Sequence, residues 1–322
     1  MADYAKDYAK DYAKDYAKEY AKEYEYRLTD QKLIDIYKTD IITIRENDLK
    51  YKTCNNIDLK RVKGLDNIDR DTIEYRIAEC IKNDGITLDL SHLKLTSLPP
   101  LPKTLNTTLK YLFISENNIQ SIDNLSYLSE LVVLDLCNNK LKYLPILPEK
   151  IEELQIKHNN ITSISNLAEC DYLKRIDCSD NNIKIIPIID SLEILVCSQN
   201  NIEHIPSLRK LTKLVCSYNK ISNISNLKLL EFLDCDGNNL TSIENFKNLK
   251  ELYCSKNDIE YVKNLNKIEV IHCYMTNVMK IEYVATLKEL MCDYREKFIL
   301  SKYFTIVSSD IYKNNIIVLR FK

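Results

Sequence analysis

The chain has 322 residues, with 45 Lys and Arg against 47 Asp and Glu, and a formal net charge of -2. This balance argues against nucleic acid as a partner, and no apolar run is long enough to span a membrane. Eleven cysteines occur without a Cys-x-x-Cys pair, which favours free thiols over a disulfide framework. We therefore expect a cytoplasmic protein that is not secreted and that binds neither nucleic acid nor membrane.

Residues 1–27 carry a low-complexity repeat of (Asp/Glu)-Tyr-Ala-Lys. In a helix, the acid and the lysine of each unit pair three residues apart, and tyrosines recur every four residues. Because a period of four overshoots 3.6 residues per turn, the tyrosine stripe rotates around the helix and forms no straight coiled-coil seam. The repeat predicts a helical or disordered arm, and oligomerisation or docking through this arm is the alternative interpretation.

Residues 28–84 are polar and mixed, and they end in a stretch that favours a helix. Asp71 is the expected N-cap of this helix, and Gly85 is expected near its C-terminal stop. A repeat array needs such a cap, because its first repeat would otherwise expose its core and its strand edge. We expect this helix to close the N-terminal end of the array.

Residues 85–298 repeat the pattern Leu-x-x-Leu-x-(Leu/Cys)-x-x-Asn-x-(Ile/Leu) about eleven times. Apolar residues at positions four and six alternate with mostly polar ones at positions five and seven. This period of two predicts a short strand in each repeat, with one face in the core and the other facing outward. From Asn181 onward, the repeats have a constant length, because their position-nine residues are numbered 181, 200, 219, 238 and 257.

The repeated pattern resembles the leucine-rich repeat family over about two thirds of the chain. The segments LPPLP (98–102) and LPILP (144–148) resemble short bacterial-type repeats, whereas SIENF (242–246) and YVKNL (261–265) resemble phosphatase-regulator repeats. The whole is also similar to leucine-rich repeat proteins of giant DNA viruses, which implies the host cell cytoplasm. The resemblance implies an α/β-type repeat solenoid with a parallel β-sheet on its concave face, extended or 3₁₀ segments on its convex side, and a helical N-terminal cap.

Two sets of repeated residues are predicted to be structural. The position-nine asparagines should turn inward and satisfy backbone groups that the turn would otherwise bury unpaired; they are Asn117, Asn139, Asn159, Asn181, Asn200, Asn219, Asn238 and Asn257. The position-six cysteines should stack inside the solenoid, acting as small buried apolar residues where leucine would overfill a tight repeat; they are Cys178, Cys197, Cys216, Cys235, Cys254, Cys273 and Cys292. A metal or redox function of this cysteine ladder is the alternative, although a line of thiols does not converge on one ion.

In leucine-rich repeat proteins, partners usually lie on the concave face, which the resemblance assigns here to positions three, five, seven and eight. Apolar and aromatic residues at these positions are candidates for binding a protein partner, since their burial contributes most of the energy of an interface. The candidates are Tyr111, Phe113, Ile194, Val196, Val215, Tyr218, Phe232, Tyr253, His272 and Tyr274.

Residues 299–322 are predicted to form a C-terminal cap that contains a strand at IIVLRF (316–321). The sequence has no catalytic motif or glycine-rich phosphate loop, and its four histidines are far apart, so we expect no enzyme activity, metal site or cofactor. The expected function is a non-catalytic protein-protein interaction scaffold. The alternative is a regulatory or substrate-adaptor subunit of a host enzyme, such as a phosphatase or a ubiquitin ligase.

Overall fold

The computed structural model describes residues 72–224, 227–278, 280–281, 284–293, 299–300, 306–312 and 316–321. The arm predicted at 1–27 and the polar stretch that follows it lie outside these residues. Contacts divide the chain after Asn67, so the helix predicted to cap the array belongs to the same compact unit as the repeats. No helix among the described residues is both long and apolar enough to cross a membrane.

The described residues form a long sheet of 13 strands, of which the first eleven run parallel and the last two are antiparallel. Each repeat contributes one parallel strand, which is three residues long in all repeats but the last. The parallel strands are β1 (Thr87–Asp89), β2 (Tyr111–Phe113), β3 (Val133–Asp135), β4 (Glu153–Gln155), β5 (Arg175–Asp177), β6 (Ile194–Val196), β7 (Lys213–Val215), β8 (Phe232–Asp234), β10 (Glu251–Tyr253), β12 (Val270–His272) and β14 (Glu289–Asp293).

The register of the sheet follows the sequence repeat. The position-four residues of neighbouring strands lie side by side, as Leu195, Leu214 and Leu233 do, and these three side chains are fully buried. The residues before and after each of them point to the opposite face of the sheet. One face of the sheet is therefore the core of the solenoid, and the other face is concave and faces outward.

Helix α1 (Ile73–Lys82) precedes β1 and closes the start of the array. Asp71 was expected as its N-cap, but the Thr72 hydroxyl accepts the N–H of Tyr75 at 3.2 Å and holds that position. At the other end, the N–H of Gly85 bonds to the carbonyl of Cys80 at 2.9 Å, with Gly85 at a φ of 65°. A left-handed residue at this point ends a helix, and glycine adopts it without strain.

The eight position-nine asparagines are buried and form a continuous hydrogen-bonded row along the array. Asn219 is representative: its Nδ2 donates to the carbonyls of Cys197 at 2.9 Å and Cys216 at 3.1 Å. Its Oδ1 accepts the N–H of Ile202 at 3.0 Å. Each amide therefore joins the turn of its own repeat to the repeat before it. The corresponding donors are Asn117, Asn139, Asn159, Asn181, Asn200, Asn238 and Asn257.

Repeat length and the residue at position six change together. The interval between the starts of successive strands varies from β1 to β5, and from β5 to β14 it is constant and shorter than any of the earlier ones. The four long repeats that begin with β1 to β4 place fully buried leucine or isoleucine at position six; these residues are Leu90, Ile114, Leu136 and Ile156. The short repeats from β5 onward place a buried cysteine there instead. A shorter repeat encloses a narrower interior, in which a smaller side chain packs without strain.

The convex side also changes along the array. Its early repeats contain the 3₁₀ segments Lys103–Thr107 and Ser165–Glu169. Its late repeats form a second parallel sheet of β9 (Ser242–Glu244), β11 (Tyr261–Lys263), β13 (Lys280–Ile281) and β15 (Ile299–Leu300). All seven prolines of the chain precede this sheet, the last being Pro206. Proline has no N–H to donate to a strand ladder, so the convex sheet forms only in the proline-free repeats.

Two antiparallel strands follow the last parallel strand. They are β16 (Ile306–Tyr312) and β17 (Ile316–Phe321), and β17 pairs with β14 over five residues. Leu319 and Phe321 of β17 pack against the main core. The strand predicted at 316–321 therefore covers the end of the solenoid core.

Candidate functional site: the concave face

The concave face is formed by positions three, five, seven and eight of each repeat. Six of the ten candidate binding residues are half-buried on this face and retain exposed surface. Five of them lie on strands, and Tyr218 lies in the turn after β7. The six are Tyr111, Phe113, Ile194, Val196, Tyr218 and Phe232.

The other four candidates, Val215, Tyr253, His272 and Tyr274, are buried, which corrects the expectation that they are exposed. Tyr253 lies between two rings of neighbouring strands, with centroid distances of 5.5 Å to Phe232 and 4.8 Å to His272. Position in the repeat determines which face of the sheet a side chain points to. It does not determine exposure, because large side chains on adjacent strands can cover an outward-facing residue. These rings therefore form a packed row on the face.

Tyr274 is buried for a different reason. It packs with Met291 of β14 and Val318 of β17 in a small cluster separate from the main core. Val318 lies directly opposite Met291 in the antiparallel pair. The C-terminal cap thus extends onto the concave side and covers Tyr274.

The cap also joins the polar groups at this end of the face. The Nε2 of His272 lies 3.2 Å from the Oε1 of Glu289, and the Oε2 of Glu289 lies 3.5 Å from the Nε of Arg320 on β17. Tyr253 donates its hydroxyl to Glu251 at 3.1 Å. Ring packing and charge pairing therefore hold the last third of the face in one arrangement.

Lys213 on β7 is a largely enclosed ammonium group on this face. Its Nζ lies 4.9 Å from the centroid of the Phe232 ring. Burial lowers the pKa of Lys213 to about 8, and the carboxylates of Glu251 and Asp234 oppose that shift. Val215, two residues further on, lies between Val196 and Asp234 in the paired strands.

Asp234 and Asp236 are buried carboxylates that hold the turn after β8. Asp234 accepts the hydroxyl of Ser217 and, at 3.3 Å, the N–H of Asp236. The Oδ1 of Asp236 accepts the N–H of Ser255 at 2.8 Å. Hydrogen bonds between neighbouring repeats account for both side chains, which therefore have a structural role.

Position eight adopts a left-handed conformation in repeat after repeat, and here residues of many types have a positive φ. Gly237 is the one glycine at this position among the described repeats, and its φ is 61°. A Cβ at Gly237 would lie 3.0 Å from the Tyr218 ring, and Lys256 donates to the Tyr218 hydroxyl at 2.7 Å. Other residue types adopt the same backbone angle at this position, so the close packing of the Tyr218 ring explains why this repeat has a glycine there.

The concave face is acidic, although the whole chain is nearly neutral. Its carboxylates are Asp89, Glu116, Asp135, Glu153, Asp177, Asp180, Asp234, Asp236, Glu251, Glu289 and Asp293. Its lysines and arginines are Lys157, Arg175, Lys213, Lys256 and, from β17, Arg320. Eleven negative against five positive groups leave an excess of six negative charges, compared with two for the chain as a whole. The binding residues predicted from repeat position are apolar, aromatic or histidine and do not include this excess of charge.

Carboxylates crowd one another on the early strands β3 to β5. Burial raises the pKa of Asp177 and that of Glu153, and the carboxylate of Asp135 adds to both shifts. Lys157 opposes the shift at Asp177, and Arg175, directly opposite Glu153, opposes the shift at Glu153. Burial is the main cause of the upward pKa shifts that remain, and the two cations offset it only in part.

The ten described cysteines are free thiols, and the seven ladder cysteines are buried in the core. Burial raises the pKa of Cys178, Cys197, Cys216 and Cys254, because a buried thiolate lacks solvation. Among the described residues, no three His, Cys, Asp or Glu side chains converge on a metal position. The ladder therefore consists of protonated, apolar packing groups.

Comparison with solved structures identifies the architecture. YopM from Yersinia enterocolitica WA-314 is 23% identical, with a TM-score of 0.55 over 66% of this chain and 52% of that chain. The functional domain of InlJ from Listeria monocytogenes, described as including a cysteine ladder, is 24% identical, with a TM-score of 0.50 over 64% and 53%. YopM from Yersinia pestis, described as a leucine-rich effector protein, is 22% identical, with a TM-score of 0.50 over 68% and 80%.

The chain has the leucine-rich repeat fold. This confirms the fold class predicted from the sequence. The chain spans about half the length of the first two of these structures, so the likeness concerns the repeat array. No protein-family model matches the sequence, and no curated protein does either.

Proposed function

We propose that this leucine-rich repeat protein is a non-catalytic scaffold that binds a protein partner through its concave face. The observation that carries the proposal is the apolar pair at the centre of that face. Ile194 and Val196 are half-exposed on β6, the sixth of eleven parallel strands. Apolar side chains at the centre of a rigid surface contribute most of the binding energy when a partner buries them.

Charged residues surround this pair on the neighbouring strands. Arg175 and Lys213 flank Ile194, and Asp177 flanks Val196 on one side. An apolar centre with a charged rim is the usual composition of a protein interface, since the rim excludes water and selects the partner. The leucine-rich effector description of the Yersinia pestis structure also favours an interaction role, which we extend to this chain as part of the proposal.

The test compares two double variants of the full chain in affinity capture from native cells. The first, Ile194→Asp with Val196→Asp, places charges at the centre of the concave face. The second, Ile185→Asp with Ile188→Asp, changes two aliphatic residues off the sheet that are 76% and 58% exposed. Melting temperatures of both proteins show whether each still folds.

We expect the concave variant to recover its partner at least about tenfold less well, and the convex control to recover it as the wild type does. Retention by the concave variant, or loss only in the control, contradicts binding through this face. A recovered phosphatase or ubiquitin ligase would make the scaffold a regulatory or adaptor subunit of that enzyme.

A further inference from the structure

The turns that lead into the strands of the concave sheet form a row along one edge of the solenoid. Two residues make each turn, and side chains connect neighbouring turns. The Ser191 hydroxyl donates to the carbonyl of Leu173 at 2.7 Å, and the Asn248 amide donates to the carbonyl of Lys228 at 2.9 Å. The turn rim is defined as the eight such turns before β3, β4, β5, β6, β7, β8, β10 and β12, at residues 129–130, 149–150, 171–172, 190–191, 209–210, 228–229, 247–248 and 266–267.

Charge divides the turn rim into two halves. The four turns before β3 to β6 carry four carboxylates and one lysine, whereas the four turns before β7, β8, β10 and β12 carry five cations and no carboxylate. The residues that flank the row, at 107–108 before β2 and at 285–286 before β14, are uncharged. The carboxylates are Glu130, Glu149, Asp171 and Asp190, and the cations of the second half are Arg209, Lys210, Lys228, Lys247 and Lys267. The rim is therefore acidic at one end and basic at the other.

Most of these charges have no ion-pair partner within the chain. Lys150 pairs with Glu130 at 2.6 Å, but the other charged turn residues are exposed and form no ion pair among the described residues. Lys267 donates to the side-chain oxygen of Asn248 at 2.8 Å, which does not compensate its charge. Like charges on turns stacked about 4.8 Å apart repel one another. An oppositely charged row on a second molecule would relieve this repulsion in both halves.

We infer that the turn rim is a contact surface between two copies of this chain, paired antiparallel about a two-fold axis. With the axis between the turns at 190–191 and 209–210, the acidic half of each copy lies along the basic half of the other. The uncharged residues 107–108 and 285–286 then also face each other, and every contact occurs twice. The opposed pairs are Asp190 with Arg209, Asp171 with Lys228, Glu149 with Lys247 and Glu130 with Lys267.

Exposed apolar side chains fit the same register independently of charge. Tyr172 is 51% exposed and Leu229 is 48% exposed, and each is the second residue of its turn. No other residue of the eight turns is apolar. In the register that the charges select, Tyr172 of each copy lies opposite Leu229 of the other. Exposed ion pairs alone contribute little to affinity, so these two apolar contacts would supply binding energy while the charges fix the register.

The second half-charge also identifies the occupant of the rim as another copy. A nucleic acid or an anionic membrane would pair with the basic half and be repelled by the acidic half. Only a surface with both signs in the reverse order matches the whole row, and the rim itself has that order when it is turned around the two-fold axis. The rim lies at the edge of the sheet, so the concave faces of both copies stay free. The inference therefore does not depend on the proposed scaffold function.

The test is sedimentation equilibrium of the full chain at about 50 mM and about 500 mM salt, and we expect a dimer that dissociates at least about tenfold more readily at the higher salt. Two charge-reversed variants probe the register. The acidic variant is Lys228→Glu with Lys247→Glu, and the basic variant is Glu149→Lys with Asp171→Lys. Each variant alone should dimerise at least about tenfold more weakly than the wild type, because like charges then face each other.

An equal mixture of the two variants is the decisive sample. It should form a heterodimer whose dissociation constant lies within a factor of about three of the wild-type value, since every opposed pair is again of opposite sign. Lys140→Glu with Lys220→Glu is the matched control: it changes the net charge as the acidic variant does, at two exposed residues off the rim, and should stay within a factor of about two of wild type. Melting temperatures show whether each variant folds.

Three results would overturn the inference. The first is a wild-type chain that stays monomeric at low salt up to the limit of its solubility. The second is an acidic variant that dimerises as well as the control, which would assign association to another surface, such as the arm at 1–27. The third is a mixture of the acidic and basic variants that forms no heterodimer. Partner capture through Ile194 and Val196 tests the scaffold function separately.

Discussion

The repeats up to β4 and those from β5 onward follow the same strand pattern but fill the solenoid differently. The early repeats are longer and of uneven length, carry leucine or isoleucine at position six, and have 3₁₀ segments on the convex side. The late repeats are shorter and of constant length, with a cysteine at position six and, toward the end, a second sheet of strands. The comparison shows that repeat length sets the width of the interior, whereas the convex sheet forms only in repeats without proline.

The two ends of the concave face also differ in accessibility. Toward the N-terminus, half-exposed carboxylates and the apolar residues of β6 remain available to a partner. Toward the C-terminus, Tyr253 and His272 pack on each other, and the antiparallel cap covers Tyr274. The late part of the face therefore contributes stability, and the early and central parts are the candidate binding surface.

The largest predicted effect is a loss of stability at alkaline pH, and it arises from the cysteines of the late repeats. Burial raises the folded-state pKa of Cys178, Cys197, Cys216 and Cys254 above their ordinary value of 9.0. The unfolded chain then binds fewer protons above pH 9, so stability is intact below pH 9 and falls as pH rises. At pH 10 each such thiol costs about 1.4 kcal/mol, or about 6 kcal/mol for four.

Urea unfolding at pH 7 and pH 10 measures this loss. Cys197→Ala combined with Cys216→Ala should reduce the difference between the two pH values by about 3 kcal/mol, because it removes two of the titrating groups. An unchanged difference would mean that these thiols are not protonated packing groups in the core.

Removal of one ladder asparagine should give the next largest effect. Asn219→Ala leaves the N–H of Ile202 and the carbonyls of Cys197 and Cys216 without this partner in the interior. We expect the unfolding free energy to fall by about 4 kcal/mol. Asn182→Ala, at an exposed position beside a ladder asparagine, is the matched control. Equal unfolding free energies for the two variants would refute the structural role of the asparagine row.

Proline insertion distinguishes the two convex sides. Lys263 is on β11, which is paired on both sides, so Lys263→Pro should cost about 3 kcal/mol through disruption of the convex sheet. Lys103 begins a 3₁₀ segment of an early repeat, and the residue before it, Pro102, has an extended ψ of 137°, so Lys103→Pro should be nearly neutral. Thermal unfolding of the two variants compares them directly, and the opposite ranking would be inconsistent with the role assigned to the convex strands.

The smallest predicted effect concerns interior width. Cys216→Leu should overfill one of the short repeats and cost about 2 kcal/mol. Leu136→Cys, in one of the long repeats, should leave a cavity of similar cost. Urea unfolding of the two variants measures both changes. If Cys216→Leu stabilised the protein, repeat length would not explain the cysteine ladder.

The sequence alone was sufficient for the solenoid, the strand positions and the inward direction of the asparagines, because these follow from periodicity. It was not sufficient for exposure on the concave face. Tyr253 is covered by Phe232 and His272 of the two neighbouring strands, and Tyr274 by Val318 of the cap strand β17. Ring size and cap placement decide those contacts, and neither belongs to the repeat pattern. The distribution of prolines was visible in the sequence and indicates where the convex sheet begins.

Hydrogen exchange of the full chain, with and without its captured partner, tests the central claim most directly. Binding through the concave face predicts slower exchange of the amides in and beside β5, β6 and β7, around Ile194 and Val196, with no change in the convex segment around Ile185 and Ile188. Protection of the convex segment, with β5 to β7 unchanged, would contradict the account.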